Sequence, residues 1–171
     1  MRGMKLIEFD MQDEAMRTAM LPLYQTYEAE ISEEDVLDEH QFYPMDSLEE
    51  LLEHFEEYFE GKTTFICVID GKYRGFVTFH VDSKKTPGYG RGYKGWGHLS
   101  EIYTDKQSRR LGLGRAMVKK AEEELMKLGV KDIYLMNLLT GNEAFWKSLG
   151  YTYTGKKVPE EDGLIFENRH N

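Results

Sequence analysis

The chain has 171 residues, 40% hydrophobic and 13% aromatic, which suits a single domain across 1–171 with a sizeable core. A net charge of -9 opposes nonspecific attachment to nucleic acid or to an anionic membrane. No apolar run nears the ~20 residues of a bilayer span, and the opening M-R-G-M-K-L-I-E-F-D lacks the apolar region of a signal peptide, so a cytoplasmic location is expected.

In chain order, Met4 to Asp10 reads as a strand, and about Asp13 to Glu30 and Ser47 to Glu60 as helices. In the second helix Leu48, Leu51, Leu52, Phe55 and Phe59 recur at helical spacing behind the cap Ser47, with Glu50 completing a capping box and Gly61 stopping the run. Thr64 to Ile69 and Tyr73 to Val81 flank Asp70-Gly71, a two-residue hairpin signal that predicts adjacent antiparallel strands. The lone cysteine, Cys67, lies among apolar neighbours there and reads as a buried strand thiol. Thr86 to Gly97 is rich in glycine and reads as a mobile loop, followed by a strand at about His98 to Thr104. Leu113, Ala116, Met117, Ala121, Leu125 and Leu128 mark one face of a long helix ended by Gly129. Asp132 to Leu138 is a strand, Asn142 to Leu149 a short helix, and Tyr151 to Lys157 with Leu164 to Asn168 a terminal hairpin.

The most informative stretch is E-I-Y-T-D-K-Q-S-R-R-L-G-L-G-R-A at 101–116, a strand, a polar loop, and two glycines opening a helix. Gly112 and Gly114 let an anion approach the backbone, where first-turn N–H groups lack intrahelical partners and the helix dipole is positive. Arg109, Arg110 and Arg115 add charged donors, so the segment reads as a pyrophosphate site. A dinucleotide fold would call for G-x-G-x-x-G, but Met117 stands at the third glycine position.

R-R-L-G-L-G at 109–114 fits the [Q/R]-x-x-G-x-[G/A] loop, and F-W-K-S-L-G-Y at 145–151 the second cofactor-side motif, of the GCN5-related N-acetyltransferase superfamily. In this element order the chain resembles that superfamily over nearly its whole length. The resemblance implies an α/β (α+β) fold: a mixed, mostly antiparallel twisted sheet of about seven strands with four helices, splayed between strands 4 and 5. It further implies acetyl-CoA as cosubstrate and a small-molecule amine as acceptor. Backbone groups of Ile102, Tyr103 and Thr104 would pair with the pantetheine arm. Arg109, Arg110, Leu111, Gly112, Leu113, Gly114 and Arg115 would take the phosphates, and Asn142 would touch the pantetheine.

An ammonium must lose its proton before it attacks a thioester, so a base is expected on the strand nearest the thioester. The candidates are Glu101 and His98. Being three apart, they face opposite sides of a regular strand, and only one looks into the cleft unless a bulge intervenes. The chain departs from the superfamily at Trp146, where a tyrosine commonly protonates the departing thiolate; an indole N–H has no useful acidity. Tyr103, Tyr134 or water could substitute, and the alternative reading is a noncatalytic coenzyme A-binding regulatory module.

From Glu28 to Glu60 no Lys or Arg interrupts the acidic residues. The helix acids Glu49, Glu53, Glu56, Glu57 and Glu60 read as a solvated face, and the loop acids between Glu33 and Asp46, with Phe42 and Tyr43, as attraction for a cationic acceptor. Tyr89, Tyr93 and Trp96, in the glycine-rich loop preceded by Lys84 and Lys85, read as a lip closing over a ligand rather than as a nucleic-acid tract. His40, His54, His80, His98 and His170 show no zinc-type spacing, so no metal is expected; a homodimer is compatible with this reading.

Overall fold

A computed structural model describes residues 3–34, 47–83, 93–137, 142–157 and 163–169, with the backbone alone for 32–34 and 157. The elements run β1 (Met4–Glu8), α1 (Glu14–Glu34), α2 (Leu48–Phe59), β2 (Thr63–Ile69), β3 (Lys72–Val81), β4 (Gly97–Thr104), α3 (Leu113–Lys127), β5 (Asp132–Asn137), α4 (Glu143–Ser148), β6 (Thr152–Lys157) and β7 (Leu164–Arg169). Local chemistry explains several boundaries. The Ser47 hydroxyl accepts the Glu50 N–H at the start of α2. Asp70 and Gly71 adopt φ of 49° and 75°, the backbone that a tight β2–β3 hairpin requires.

The strands form one seven-stranded sheet in the order β1-β2-β3-β4-β5-β7-β6, antiparallel except for the parallel pair β4–β5. That pair is short. Only Gly97, His98 and Leu99 face partners on β5, whereas β3 follows β4 as far as Thr104. From Ser100 onward β4 therefore parts from β5, which is the splay the resemblance implied.

Each face of the sheet carries its own core. On one, α3 contributes Leu113, Met117, Val118, Ala121 and Leu125 against Phe65, Cys67, Val77, Phe79, Leu99, Ile133, Leu135 and Phe166. On the other, α1 and α2 cover Ile66, Phe76 and Tyr103 with Met20, Tyr24, Tyr27, Phe55 and Phe59, whose rings meet mainly edge to face. Burial pushes the Cys67 thiol up to about 11, so it is a packing group rather than a reactive one.

Two stripe assignments fail at their ends. Leu48 is 63% exposed and Leu128 70%, because each sits where its helix begins or ends, beyond the reach of the sheet. Val118, outside the expected stripe, is buried instead. Among the helix acids, Glu49, Glu53, Glu56, Glu57 and Glu60 are exposed as expected. The acids from Asp35 to Asp46, Phe42, Tyr43, Lys84, Lys85, Tyr89 and Leu138 lie outside the described residues. Tyr93 corrects the expectation of a lip: it is buried, stacked on Tyr134 with ring centroids 4.0 Å apart, and donates its hydroxyl to Glu167. Trp96 packs beside it, under the Arg169 guanidinium.

Candidate active site

The splay opens a cleft of about 810 Å³, lined by β4 from Leu99 to Thr104, the start of α3, the end of β5, α4, and Tyr27, Glu30 and Ile31 of α1. At its α3 end, Gly112 takes φ of 84° as the N-cap and offers no side chain to the helix terminus. The first helical bond runs from the Ala116 N–H to the Gly112 carbonyl, so the amides of Leu113, Gly114 and Arg115 precede the ladder. A Cβ on Gly112 would meet nothing within 4 Å, leaving this cradle open on the cleft side. Gly114 serves differently from the expectation: a Cβ there would lie 3.2 Å from the Phe145 ring, so its absence lets α4 close on α3.

The three arginines also separate. Arg110, at φ of 63°, and Arg115 are exposed on the cleft rim, and Arg115 donates to the Ser148 hydroxyl at 3.2 Å. Arg109 is not simply a phosphate donor. Its Nε donates to the Thr104 carbonyl at 3.0 Å and its terminal nitrogen to Glu30 of α1, while its guanidinium lies over the Tyr103 ring. Glu30 is 8% exposed and also accepts the Tyr103 hydroxyl at 2.9 Å, so Arg109 neutralises a carboxylate that would otherwise be buried unpaired.

β4 supplies the chemistry. The β3–β4 register shifts so that Thr78 faces Glu101 and Phe79 faces Leu99, leaving Ser100 as the extra residue of a bulge. This brings His98 and Glu101 to one face of the sheet, the geometry that a regular strand forbids. They end in different surroundings. Glu101 lines the cleft, and burial raises its carboxyl from 4.5 to about 7 even though the Tyr27 hydroxyl, donating at 2.6 Å, the Ile102 N–H and the Lys62 charge pull it down. His98 lies behind the cleft, 2% exposed, stacked on Tyr134 at 4.6 Å. Burial, with His80 and Lys62 nearby, lowers it to about 3, so the ring stays neutral at any ordinary pH.

Of the groups that could replace the missing tyrosine acid, Tyr103 donates its hydroxyl to Glu30 and Tyr134 donates to Asp82. Trp146 itself is buried in the cleft wall against Phe145 and Tyr151. Asn142 reaches the cleft from the start of α4. Asn137, at the end of β5, is a site residue that no sequence motif marked. It is 6% exposed, lines the cleft, and its Nδ2 has no acceptor among the described residues.

An open helix N-terminus, a cleft wall of unpaired strand and an orphaned amide donor together suit a ligand with a pyrophosphate and an amide-bearing arm. The sequence model of the acetyltransferase (GNAT) family matches residues 23–151. The chain belongs to that family. A GNAT acetyltransferase uses acetyl-CoA, and the groups just described fit that cosubstrate. No curated protein matches the chain significantly. Solved structures similar to this GNAT chain include an acetyltransferase from Staphylococcus aureus, at TM-score 0.67 and 13% identity over 98% of this chain and 99% of that one. The PaiA N-acetyltransferase of Thermoplasma acidophilum in complex with coenzyme A gives 0.66 and 11%, with the same coverage. An aminoglycoside 6'-N-acetyltransferase complexed with coenzyme A gives 0.65 and 16% over 96% of each chain. Among the described residues no helix is long and apolar enough to cross a membrane.

Proposed function

We propose that this acetyltransferase moves the acetyl group of acetyl-CoA to a primary amine of a small cationic acceptor, with Glu101 as the general base. The observation that carries the reading is the half-buried Glu101 carboxyl, which lines the cleft where β4 leaves β5, accepts the Tyr27 hydroxyl and is held near 7. At neutral pH it is poised to take a proton from an ammonium, directly or through one water. His98, held near 3 and away from the cleft, does not compete for that role.

In this reading the pyrophosphate rests on the amides of Leu113, Gly114 and Arg115, with Arg110 and Arg115 as flanking charges. The backbone of Ile102 to Thr104 pairs with the pantetheine arm, and Asn137 and Asn142 hold its amides. A β4 N–H polarises the thioester carbonyl as the tetrahedral oxyanion forms. The free amine attacks, the carbon–sulfur bond breaks, and coenzyme A leaves as a thiolate that takes its proton from water, since Trp146 cannot give one.

Glu28, whose charge acts on Tyr58 and Glu101, and Glu101 itself make the acceptor side electronegative, which favours a polyamine, an aminoglycoside-like or a lysine-like amine. Two structural neighbours are N-acetyltransferases by name, in keeping with an amine acceptor. We read the chain as one cytoplasmic domain. The noncatalytic alternative is not favoured, because a module that only bound coenzyme A would have no use for a half-buried, near-neutral carboxyl in the cleft wall. Thiol release should be followed with acetyl-CoA and a panel of cationic, neutral and anionic amines. Turnover is expected with the cationic members; preference for an anionic amine, or no turnover despite coenzyme A binding, would reject the reading.

A further inference from the structure

Behind the β4 bulge lies a hydrogen-bonded chain that the transfer reaction does not use. Ser100 lines the cleft, and its hydroxyl lies 3.1 Å from His80 Nδ1; His80 Nε2 lies 3.0 Å from Asp82 Oδ1; and Asp82 Oδ2 accepts the Tyr134 hydroxyl. His80 is 8% exposed and Asp82 4%. The donor atoms of His80, Asp82 and His98 lie within 4.8 Å of one another, a grouping the sequence spacing did not reveal. The two oxygens of that carboxylate join His80 and the Tyr134 hydroxyl in one ordered hydrogen-bond chain.

A serine in the wall of the cleft, a histidine bonded to its hydroxyl, and a buried carboxylate bonded to the other ring nitrogen are the three parts of an activated nucleophile. We propose that Ser100, His80 and Asp82 form a second catalytic constellation in the same cleft, which hydrolyses acetyl-CoA through an acetyl-Ser100 ester when no amine is bound. The proposal rests on acetyl-CoA occupying this cleft.

The arrangement assigns each proton. Donation of His80 Nε2–H to Asp82 leaves Nδ1 as the acceptor of the Ser100 proton, and burial lowers the His80 pKa against the opposing pull of Asp82, favouring the neutral ring that this step needs. Ser100 Oγ bonds to the thioester carbon as its proton passes to Nδ1. The carbon–sulfur bond then breaks, and the thiolate takes that proton, which supplies the acid that Trp146 lacks. Water next attacks the ester carbonyl and gives one proton to Nδ1. The ester bond breaks, Ser100 Oγ recovers that proton, and acetic acid leaves with the water's other proton, which it loses to solvent. The bulge makes this possible: without the extra residue, Ser100 would be an ordinary member of the ladder between Leu99 and Glu101.

The test is to incubate the full chain with acetyl-CoA and no amine, quench in acid, and map acetylated peptides by mass spectrometry with and without neutral hydroxylamine, which cleaves esters but not lysine amides. The expected result is a hydroxylamine-labile acetyl group on Ser100. It should be absent in Ser100→Ala and return as a thioester in Ser100→Cys, and amine-free thiol release should fall at least about 100-fold in the alanine variant. Coenzyme A binding by calorimetry and acetylation of an amine are measured on the same samples. If coenzyme A binds and the amine is acetylated, but only hydroxylamine-resistant lysine adducts appear or Ser100→Ala hydrolyses as fast as the parent, this inference is overturned alone. Absence of coenzyme A binding would overturn it together with the proposed function.

Discussion

The two ends of the cleft are built on different principles. The end we assign to the phosphates is backbone: one left-handed glycine, three amides ahead of the α3 ladder and a helix dipole, all within a few consecutive residues. The end we assign to the acyl group is side chains brought together from afar. Tyr27 meets Glu101 across 74 positions, and His80 meets Ser100 across 20. A site made of local backbone should fail by distortion of the loop, whereas a site made of long-range contacts should fail by changes in protonation and in packing.

Breaking the backbone end gives the largest effect expected on cosubstrate binding. Gly112→Val forces a β-branched residue into φ of 84° and puts methyl groups over the anion cradle. Coenzyme A affinity should drop by at least about 100-fold, or roughly 3 kcal/mol, by calorimetry. A variant that binds coenzyme A as the parent does would show that the α3 terminus is not the phosphate site. At the other end, Glu101→Gln keeps the shape and removes the base. Its kcat should fall by about 10²- to 10⁴-fold with amine acceptors while coenzyme A binding persists.

The pH profile sharpens the contrast. In the parent, kcat/KM for the amine should rise through about pH 7 as Glu101 loses its proton, and that limb should vanish in Glu101→Gln. The stability effect has the opposite sign. Because folding raises this carboxyl from 4.5 to about 7, the protonated form is favoured in the folded state, and its contribution, full below pH 4.5, is lost as pH rises through 7. Glu101→Gln should therefore gain thermal stability over the parent at pH 8 relative to pH 5. Equal melting shifts at both values would place the carboxyl in water.

What could be read from the sequence divides along the same line. The hairpin at Asp70-Gly71, the α2 cap and the α3 opening depend on neighbours a few residues apart, and each formed where its local signal stood. The bulge at Ser100 left no such signal, since it arises from the registration of β3 against β4. Without it, His98 and Glu101 could not be placed on one face, nor Ser100 against His80. Arg109 misled for a related reason: its motif position marks a phosphate loop, but its partner Glu30 lies on α1 and only the folded chain shows that the guanidinium is engaged. Asn137 became visible as a candidate only through the splay that strips β5 of its β4 neighbour there and leaves the amide in the cleft wall.

Arg109 lies between the two ends and should behave accordingly. Arg109→Ala leaves Glu30, 8% exposed, with the Tyr103 hydroxyl and no compensating charge. A loss of about 1–3 kcal/mol in unfolding free energy is expected, read by denaturant titration, with a smaller loss in coenzyme A affinity than Gly112→Val produces. Affinity falling as far as in the glycine variant, with stability intact, would return Arg109 to the phosphates.

The smallest effect tests how finely the acyl end is tuned. The Glu101 carboxyl is faced by the Tyr27 hydroxyl and Glu28 from α1, Tyr58 from α2, Lys62 at the start of β2, and its neighbouring Ile102 N–H. Tyr27 is the side chain that donates directly, and such a bond stabilises the carboxylate over the acid. Tyr27→Phe preserves the ring contacts with Phe76 and Tyr103 and deletes only that donor. The rising limb of kcat/KM should move upward by about one pH unit, the equivalent of a charged hydrogen bond worth about 1.4 kcal/mol, with kcat at high pH largely kept. A downward shift would mean that the tyrosine had been screening the carboxyl from water rather than bonding its charge, and would move the tuning of this base from hydrogen bonding to burial alone.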